Sequence, residues 1–223
     1  MQTYHENAKE LPIAGEYDVI VAGSGPAGTA ATVMAGRMGA KVLIIEWNNS
    51  IGGISTSGMM SHWTGSVTSP MYTEILQRSA DMNEGEQKGK IQQFINPENL
   101  KTVYLDMLKD ANVDVLLYTF VCGVVMEGDQ LTGVITESKS GRRVFRSKVV
   151  VDGTGDGDVA AVVAKAPAKE RQPAAVAVRG HLHPVGQGLS PAQGQVRRRD
   201  RPDALPVHEG ARRVHAQRLA QAV

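Results

Sequence analysis

Residues 23–28, with the sequence Gly-Ser-Gly-Pro-Ala-Gly, have the types and the spacing that can hold phosphate groups. Gly23 allows a tight turn, Gly25 lets the backbone approach a pyrophosphate closely, and Gly28 lets a helix pack close to a strand. A helix that begins here would direct its unsatisfied N–H groups and its partial positive charge at the phosphates. Glu46 follows 18 residues after Gly28, where its carboxylate could accept the ribose hydroxyls and would repel a 2′-phosphate. Together these residues indicate a site for the ADP half of a dinucleotide.

Such a site requires two strands and one helix, and the neighbouring residues have the patterns of all three. An apolar run at 17–22 leads directly into the glycine-rich turn, and apolar residues at helical spacing follow it as far as Met38. A second apolar run at 41–45 ends on Glu46. Three glycines alone often mark only a turn, and an acid at a strand end is often only solvated. The prediction of a Rossmann-like unit therefore rests on the complete strand–turn–helix–strand order.

A helical insertion is predicted after this unit, over about residues 54–112. Its first part, 54–69, reads as a loop rich in Gly, Ser and Thr, and Pro70 can begin a helix. Asn96 followed by Pro97 is a second helix start, with the asparagine as N-cap and the proline at the first helical position. Apolar residues then recur at helical spacing, so this helix should bury one face.

Strand patterns dominate the stretch after the insertion. They predict a buried strand at 113–118, two strands at 120–127 and 130–137 joined by a Gly-Asp turn, and a short strand at 143–146 that completes an antiparallel meander. An apolar strand at 149–151 then leads into a second glycine-rich loop. This order predicts an α/β fold, a doubly wound Rossmann-like domain with a small antiparallel β-meander.

Composition excludes several classes of protein. The net charge of +1 over 223 residues gives no sign of nucleic-acid binding, and no apolar stretch is long enough to span a membrane. The single cysteine, Cys122, excludes an internal disulfide framework and a zinc site built from several cysteines, so no metal is expected. It also fits a reducing, cytoplasmic compartment. Residues 1–16 read as a polar arm without the apolar core of a signal peptide.

The chain resembles the FAD-dependent oxidoreductases of the glutathione-reductase-like flavoprotein superfamily, within the group whose second glycine-rich loop reads DATGDGD. The resemblance covers about residues 17–163 and rests on four segments. These are DVIVAGSGPAGTAA at 18–31, KVLIIE at 41–46, the glycine pair at 52–53, and VVVDGTGDGDVAA at 149–161. In the last segment a glycine stands where the family commonly has alanine, which is a small departure.

The resemblance implies FAD as the cofactor, with hydride or electron transfer at the flavin between a small-molecule substrate and an electron donor or acceptor. The glycine pair favours FAD over NAD, because a nicotinamide dehydrogenase has no general need for it after the ribose acid. By analogy, Val121 or Cys122 offers backbone to the adenine, and residues 154–156 lie beside the pyrophosphate and ribitol. The implied cofactor-binding residues are Gly23, Ser24, Gly25, Pro26, Ala27, Gly28, Glu46, Trp47, Gly52, Gly53, Val121, Cys122, Thr154, Gly155 and Asp156. No catalytic acid or base is identified.

Residues 164–223 read as a basic, low-complexity tail. They carry 11 Lys and Arg against 4 Asp and Glu, whereas residues 1–163 carry 13 against 19. The tail lacks Ile, Phe, Tyr and Trp, so it should bury too little apolar surface to fold. We expect a FAD-binding domain that is incomplete at this end. Its tail is either frameshifted or a genuine basic, disordered segment that binds an acidic partner or nucleic acid. Two alternatives to a flavoprotein oxidoreductase stay open: a truncated dinucleotide-binding fragment without turnover, and an NAD-dependent dehydrogenase.

Overall fold

Seven β-strands and four α-helices make up the part of the chain that this computed structural model describes, which is residues 2, 4, 6–60, 62, 63, 69–165 and 176–178. Along the chain they are β1 (Ile13–Ala22), α1 (Pro26–Arg37), β2 (Val42–Ile45), α2 (Pro70–Asp81), α3 (Pro97–Asp110), β3 (Asp114–Leu116), β4 (Phe120–Glu127), β5 (Gln130–Glu137), β6 (Arg143–Asp152), α4 (Asp158–Lys165) and β7 (Val176–Val178). Six strands lie side by side in the order β3-β2-β1-β6-β5-β4, and β7 also pairs with β6.

The centre of the sheet is parallel and is buried on both faces. Strand β1 pairs in parallel with β2 on one side and with β6 on the other, so that Val21 lies between Ile44 and Val151. One face of these strands packs against α1, α2 and α3, and the other packs against α4 and the strands β4 and β5. Burial of both faces explains why residues 19–22, 42–45 and 149–151 of these strands are continuously apolar. The arrangement confirms the predicted doubly wound α/β fold.

Strand β6 is one continuous strand of ten residues, where the sequence indicated two separate strands at 143–146 and 149–151. Its residues 143–146 pair antiparallel with β5, whereas its residues 150–152 pair in parallel with β7. Strand β1 occupies the opposite edge of β6 along its whole length. The predicted antiparallel meander is therefore present, but it branches from the central sheet and is not a separate element.

The two helices of the insertion begin where the sequence predicts. Helix α2 begins at Pro70 and uses the Ser69 hydroxyl as its N-cap. Helix α3 begins at Pro97, and the Asn96 side chain accepts a hydrogen bond from the Glu98 N–H at 2.9 Å. Each helix buries one apolar face against the side of the sheet that α1 also covers, as the helical spacing of the apolar residues indicated.

Ion pairs join α1, α2 and α3 on their outer surfaces. Glu74 on α2 lies 2.6 Å from Arg37 on α1 and 2.9 Å from Arg78 on its own helix. Arg78 in turn lies 2.8 Å from Asp110, the last residue of α3. The hydrogen bonds from Arg37 lower the pKa of the Glu74 carboxyl below its usual value, and the charge of Arg78 adds to this effect. The insertion is thus fastened to the dinucleotide-binding unit by charge as well as by packing.

Two strands differ from the prediction at their boundaries. Strand β3 covers only Asp114–Leu116 and is exposed or half-buried, whereas a buried strand was predicted over 113–118. The reason is its position, because it lies at the edge of the sheet and pairs with β2 alone. Strand β1 begins at Ile13, inside the predicted polar arm, because its first residue pairs with Val144 of β6.

The basic tail is described only in part. Strand β7, at Val176–Val178, falls within the stretch for which no packed structure was predicted, and it differs from that expectation at these three residues. Residues 166–175 and 179–223 lie outside the described residues, and so does the prediction made for them. Among the helices that the structure describes, none combines the length and the apolar character needed to cross a membrane.

Candidate functional site

A cavity of about 550 Å³ opens at the carboxyl ends of β1, β2 and β6. In open α/β sheets this is the edge at which ligands bind, outside the strand ends. Three loops converge there, namely the turn after β1, the residues after β2 and the glycine-rich loop after β6. The lining residues are Gly23, Ser24, Gly25, Pro26, Ile45, Glu46, Trp47, Asn48, Gly53, Ile54, Thr119, Phe120, Val121, Gly153, Thr154, Gly155, Asp156 and Asp158.

The first and the last of these loops touch through glycine. Gly23 has φ +90°, and a Cβ atom there would lie 2.5 Å from the Gly153 carbonyl oxygen. A Cβ atom on Gly28 would collide with the Gly23 carbonyl oxygen, so this glycine allows α1 to lie against the end of β1. Gly25 is different, because the nearest atom to a Cβ there would be the Gly153 oxygen, 3.9 Å away. Its missing side chain leaves open space in the cavity.

The N-terminus of α1 points its free backbone donors at this open space. Gly25 is the N-cap residue, with no side-chain cap, and Pro26 occupies the first helical position. The N–H groups of Ala27 and Gly28 belong to the first turn, where no carbonyl of the helix can accept them. Such donors, together with the positive end of the helix dipole, form a site for an anion. The arrangement fits a pyrophosphate group.

Glu46 is held in place at the end of β2 and is only 3% exposed. Its Oε2 atom accepts from the Ser24 N–H at 2.8 Å and from the Ser24 hydroxyl at 2.6 Å, and its Oε1 atom accepts from the Asn48 N–H at 2.8 Å. A carboxylate has about four lone-pair positions, so these three bonds leave one free on Oε1. The remaining position can accept a hydroxyl, and Glu46 thus joins the first two loops before any ligand binds.

The glycine pair after β2 braces the first loop. The Gly52 N–H donates to the Ser24 carbonyl oxygen at 2.8 Å, and a Cβ on Gly53 would lie 3.0 Å from the Gly25 Cα. Both glycines have left-handed backbones, with φ +109° and +52°. Tyr104 of α3 packs behind Gly52, where an added Cβ atom would lie 2.9 Å from the tyrosine ring. Burial raises the pKa of Tyr104 to about 12. The helical insertion therefore supports the loop that contacts Gly25.

Asp152 ties the second glycine-rich loop to α4. It is 5% exposed, and its Oδ1 atom accepts from the Thr154 N–H at 3.2 Å and from the Thr154 hydroxyl at 2.7 Å. Its Oδ2 atom accepts from the Ala160 N–H at 3.0 Å. The Thr154 hydroxyl also accepts from the Gly157 and Asp158 N–H groups, at 3.1 and 3.0 Å. The carboxylate at the end of β6 thus satisfies donors at the start of α4 and fixes the loop between them.

Comparison with known protein families identifies the chain. The family model described as FAD dependent oxidoreductase matches residues 18–176. This chain belongs to the FAD dependent oxidoreductase family. The match confirms the FAD-dependent oxidoreductase family inferred from the sequence and extends beyond residue 163, as far as the first residue of β7. FAD is accordingly the cofactor of this family member.

Individual relatives are more distant. The thiamine thiazole synthase of Methanococcus aeolicus is 30% identical over 160 residues, which are 67% of this chain and 59% of that protein. The digeranylgeranylglycerophospholipid reductase 1 of Methanococcoides burtonii is 24% identical over 154 residues, which are 63% of this chain and 38% of that protein. The crystal structure of Thermovibrio ammonificans THI4 has a TM-score of 0.51 at 24% identity, with 68% and 63% of the two chains covered, and shows a shared fold. The chain spans less than two thirds of the length of each relative.

Most of the residues implied by the sequence line the cavity, but four of them do not. Ala27 and Gly28 lie in the first turn of α1, and Gly52 lies behind Gly53. Cys122 is half-buried in β4, and its thiol donates to the Ile135 carbonyl oxygen at 3.5 Å. Its backbone was implied as a contact for adenine, but among the described residues of β4 the cavity is lined by Phe120 and Val121 and not by Cys122.

Several lining residues were missed by the sequence analysis. Thr119 and Phe120 line the cavity because β4 begins next to the end of β2, a neighbour relation that no local pattern reports. Asn48 could have been found from its place just after Glu46, because short polar side chains often sit at such turns. Trp47 and Phe120 are 67% and 53% exposed and stand at the rim of the cavity.

The charges on the lining have one sign. Among the described residues of the cavity wall, the charged side chains are those of Glu46, Asp156 and Asp158. The phosphates of FAD would thus meet backbone N–H groups and the α1 dipole in place of lysine or arginine side chains. The acidic side chains also disfavour a 2′-phosphorylated dinucleotide, in agreement with the sequence-based interpretation of Glu46.

Proposed function

We propose that this chain binds FAD in the cavity at the carboxyl edge of its sheet and takes part in oxidoreductase chemistry on a small-molecule substrate. The bound flavin supplies hydride or electron transfer, and the protein binds it and orients it. A separate electron donor or acceptor completes the reaction. The single cysteine supports a reducing, cytoplasmic setting for this activity.

The observation that carries the proposal is the open space at Gly25 in front of uncapped backbone donors. The pyrophosphate would occupy this space and accept from the Ala27 and Gly28 N–H groups. The neighbouring contacts follow from the loops around it, with Glu46 accepting a ribose hydroxyl and Trp47 and Val121 bordering the adenine. Residues 154–156 of the second glycine-rich loop would lie along the pyrophosphate and ribitol.

A FAD titration of the purified full chain tests the proposal. We expect flavin fluorescence to be quenched up to one FAD per chain, with a visible flavin absorbance band that survives gel filtration. We also expect the thermal midpoint to rise with FAD, because a ligand that binds only the folded state stabilises it. A melting temperature that is indifferent to saturating FAD would contradict the cofactor site. Competition by NAD⁺ at similar concentration would favour the nicotinamide dehydrogenase alternative.

The fragment without turnover is a second candidate, favoured by one observation. The chain spans 59% and 38% of the two curated relatives, so a large part of each of those proteins has no counterpart in the matched region. Turnover of the FAD-loaded chain with NADH as the electron donor and an artificial electron acceptor separates the two candidates. A chain that binds FAD stoichiometrically but reduces no acceptor supports the fragment, whereas steady turnover supports the oxidoreductase.

A further inference from the structure

A second cavity, of about 520 Å³, lies beside the first one on the other side of Trp47 and Thr119. Both residues line both cavities. The rest of its wall comes from the segment that joins β3 to β4 and from the turn between β5 and β6. Its apolar floor includes Leu116 and Phe145. No residue implied by the sequence analysis lines it except Trp47.

The charges around the second cavity have the opposite sign to those around the first. Its charged lining side chains are Lys139 and Arg143, and both are exposed. Neither forms an ion pair with another described residue, whereas the adjacent Arg142 pairs with Glu137 at 3.6 Å and with Glu6 at 3.7 Å. Two cations that form no ion pair with a described acid make an attractive position for an anion, and Arg143 can bind a phosphate or carboxylate with two parallel hydrogen bonds.

Aromatic rings border the same cavity. Trp47 and Tyr118 are 67% and 68% exposed, in a chain with only ten aromatic residues in total, two Trp, five Tyr and three Phe. Tyr118 has a left-handed backbone, with φ +52°, and its N–H donates to the Asn48 carbonyl oxygen at 3.1 Å. A bulky residue in this conformation carries a cost of about 1–3 kcal/mol, and such costs concentrate at ligand sites. The strained backbone thus holds a large apolar ring in water beside two cations.

We propose that this second cavity binds an anionic aromatic molecule, with its flat ring against Trp47 and Tyr118 and its phosphate or carboxylate on Lys139 and Arg143. Stacking on the two aromatic rings and charge-assisted hydrogen bonds to the two cations would both contribute to binding. Within the described part of the chain, the rings have no stacking partner and the cations have no ion-pair partner. The site goes beyond the proposed FAD function. It shares one wall with the FAD cavity but differs from it in charge, so it selects a separate ligand.

Equilibrium dialysis of the full, FAD-saturated chain tests this site with two probes, adenosine 5′-phosphate and 1-naphthoate. Adenosine, which lacks the anion, and inorganic phosphate, which lacks the ring, serve as half-probes. We expect at least one of the two complete probes to bind with one equivalent per chain and at least about tenfold more tightly than either half-probe. The nucleotide arm and the carboxylate arm then distinguish which kind of anionic aromatic ligand the cavity accepts.

Matched charge variants decide where the probe binds. The double variant Lys139→Ala/Arg143→Ala should weaken binding about tenfold. The double variant Arg142→Ala/Lys148→Ala removes the same net charge outside both cavities and should change binding less than about twofold. Tyr118→Gly, which relieves the left-handed strain and removes the ring, should weaken binding without lowering stability.

Three results would overturn the proposal. They are the absence of binding by both complete probes, equal weakening in the two double variants, and binding of inorganic phosphate as tight as that of the nucleotide. If the chain fails to retain FAD, the proposed function fails on its own. The comparison of the two double variants with 1-naphthoate still decides the second site, because Lys139 and Arg143 line only the second cavity.

Discussion

Substitution of Gly25 by alanine should abolish most FAD binding while leaving the fold intact. Gly25 has φ −57° and ψ 174°, which alanine adopts without strain. A Cβ atom there would meet only the Gly153 carbonyl oxygen, at 3.9 Å, which is an ordinary van der Waals contact. The added methyl group therefore enters space that is empty of protein. In the proposed complex the same space holds the pyrophosphate.

The expected loss of FAD-binding free energy follows from the two backbone N–H donors that the methyl group would separate from the phosphates. The Ala27 and Gly28 N–H groups each contribute one charge-assisted hydrogen bond in the proposed complex. A hydrogen bond to a charged group contributes about 1.5 kcal/mol at the lower end of its range, so two contribute about 3 kcal/mol. A loss of that size weakens binding by roughly a hundredfold. The thermal midpoint measured without FAD should stay within a few degrees of the wild-type value.

A matched glycine elsewhere serves as the control. A Cβ on Gly123 in β4 would meet the Ile135 side chain at 3.4 Å, again an ordinary contact, and Gly123 does not line either cavity. The Gly123→Ala variant should therefore bind FAD like the wild type. Flavin fluorescence titrations of the three proteins measure the dissociation constants, and melts without FAD measure the fold. A Gly25→Ala variant that binds FAD within about threefold of the wild type would refute the placement of the pyrophosphate.

Two further substitutions test the loops and the insertion. Ser24→Ala removes the 2.6 Å hydrogen bond to the buried Glu46 carboxylate, and urea unfolding should show a loss of about 2 kcal/mol together with weaker FAD binding. Ser57→Ala, at an exposed hydroxyl, serves as the control and should show neither effect. A Ser24→Ala variant with unchanged stability and unchanged FAD binding would contradict the conclusion that Glu46 holds the first loop through Ser24. Because Arg37 lowers the pKa of Glu74, this ion pair stabilises the fold at neutral pH and is lost as pH falls through the lowered pKa. Glu74→Gln should thus lower the free energy of unfolding by about 1 kcal/mol at neutral pH and leave it unchanged in acid. Urea unfolding at both pH values measures this difference, and an equal loss at both would contradict the stabilising role of the ion pair.

The dinucleotide-binding unit could be predicted from sequence because each of its signals is local. The glycine spacing at 23–28, the apolar runs on either side and the position of Glu46 all fall within 30 residues, from Tyr17 to Glu46. The helix starts at Pro70 and Pro97 were predictable for the same reason, since an N-cap and a proline act on adjacent residues. Local signals fix local structure, and these elements have the predicted type and nearly the predicted bounds, except that β1 begins earlier, at Ile13.

Features that depend on distant neighbours could not be predicted in this way. A short apolar sequence looks the same whether its strand lies at the centre of a sheet or at its edge. The exposure of β3 could therefore be recognised only from the structure, in which β3 pairs with β2 alone. Thr119 reaches the first cavity because its N–H donates to the carbonyl oxygen of Glu46, which is far away in sequence. Lys139 and Arg143 line the second cavity together with Trp47, which is equally far from them along the chain. The sequence therefore indicated most of the FAD cavity, including Trp47 at its rim, but not Thr119, Phe120 or the second cavity.

The continuity of β6 connects the meander to the cofactor site. From Tyr17 opposite Ser147 to Ala22 opposite Asp152 the register between β1 and β6 is constant, and the Gly153 N–H continues it by donating to the Ala22 carbonyl oxygen at 2.8 Å. A slip by one residue would reverse every side chain of β6 and move the second glycine-rich loop away from the first. The first part of β6 is held by β5 as well as by β1, so the meander helps to fix this register. The antiparallel branch, which contributes few residues to the FAD cavity, thereby helps to set the distance between the two glycine-rich loops.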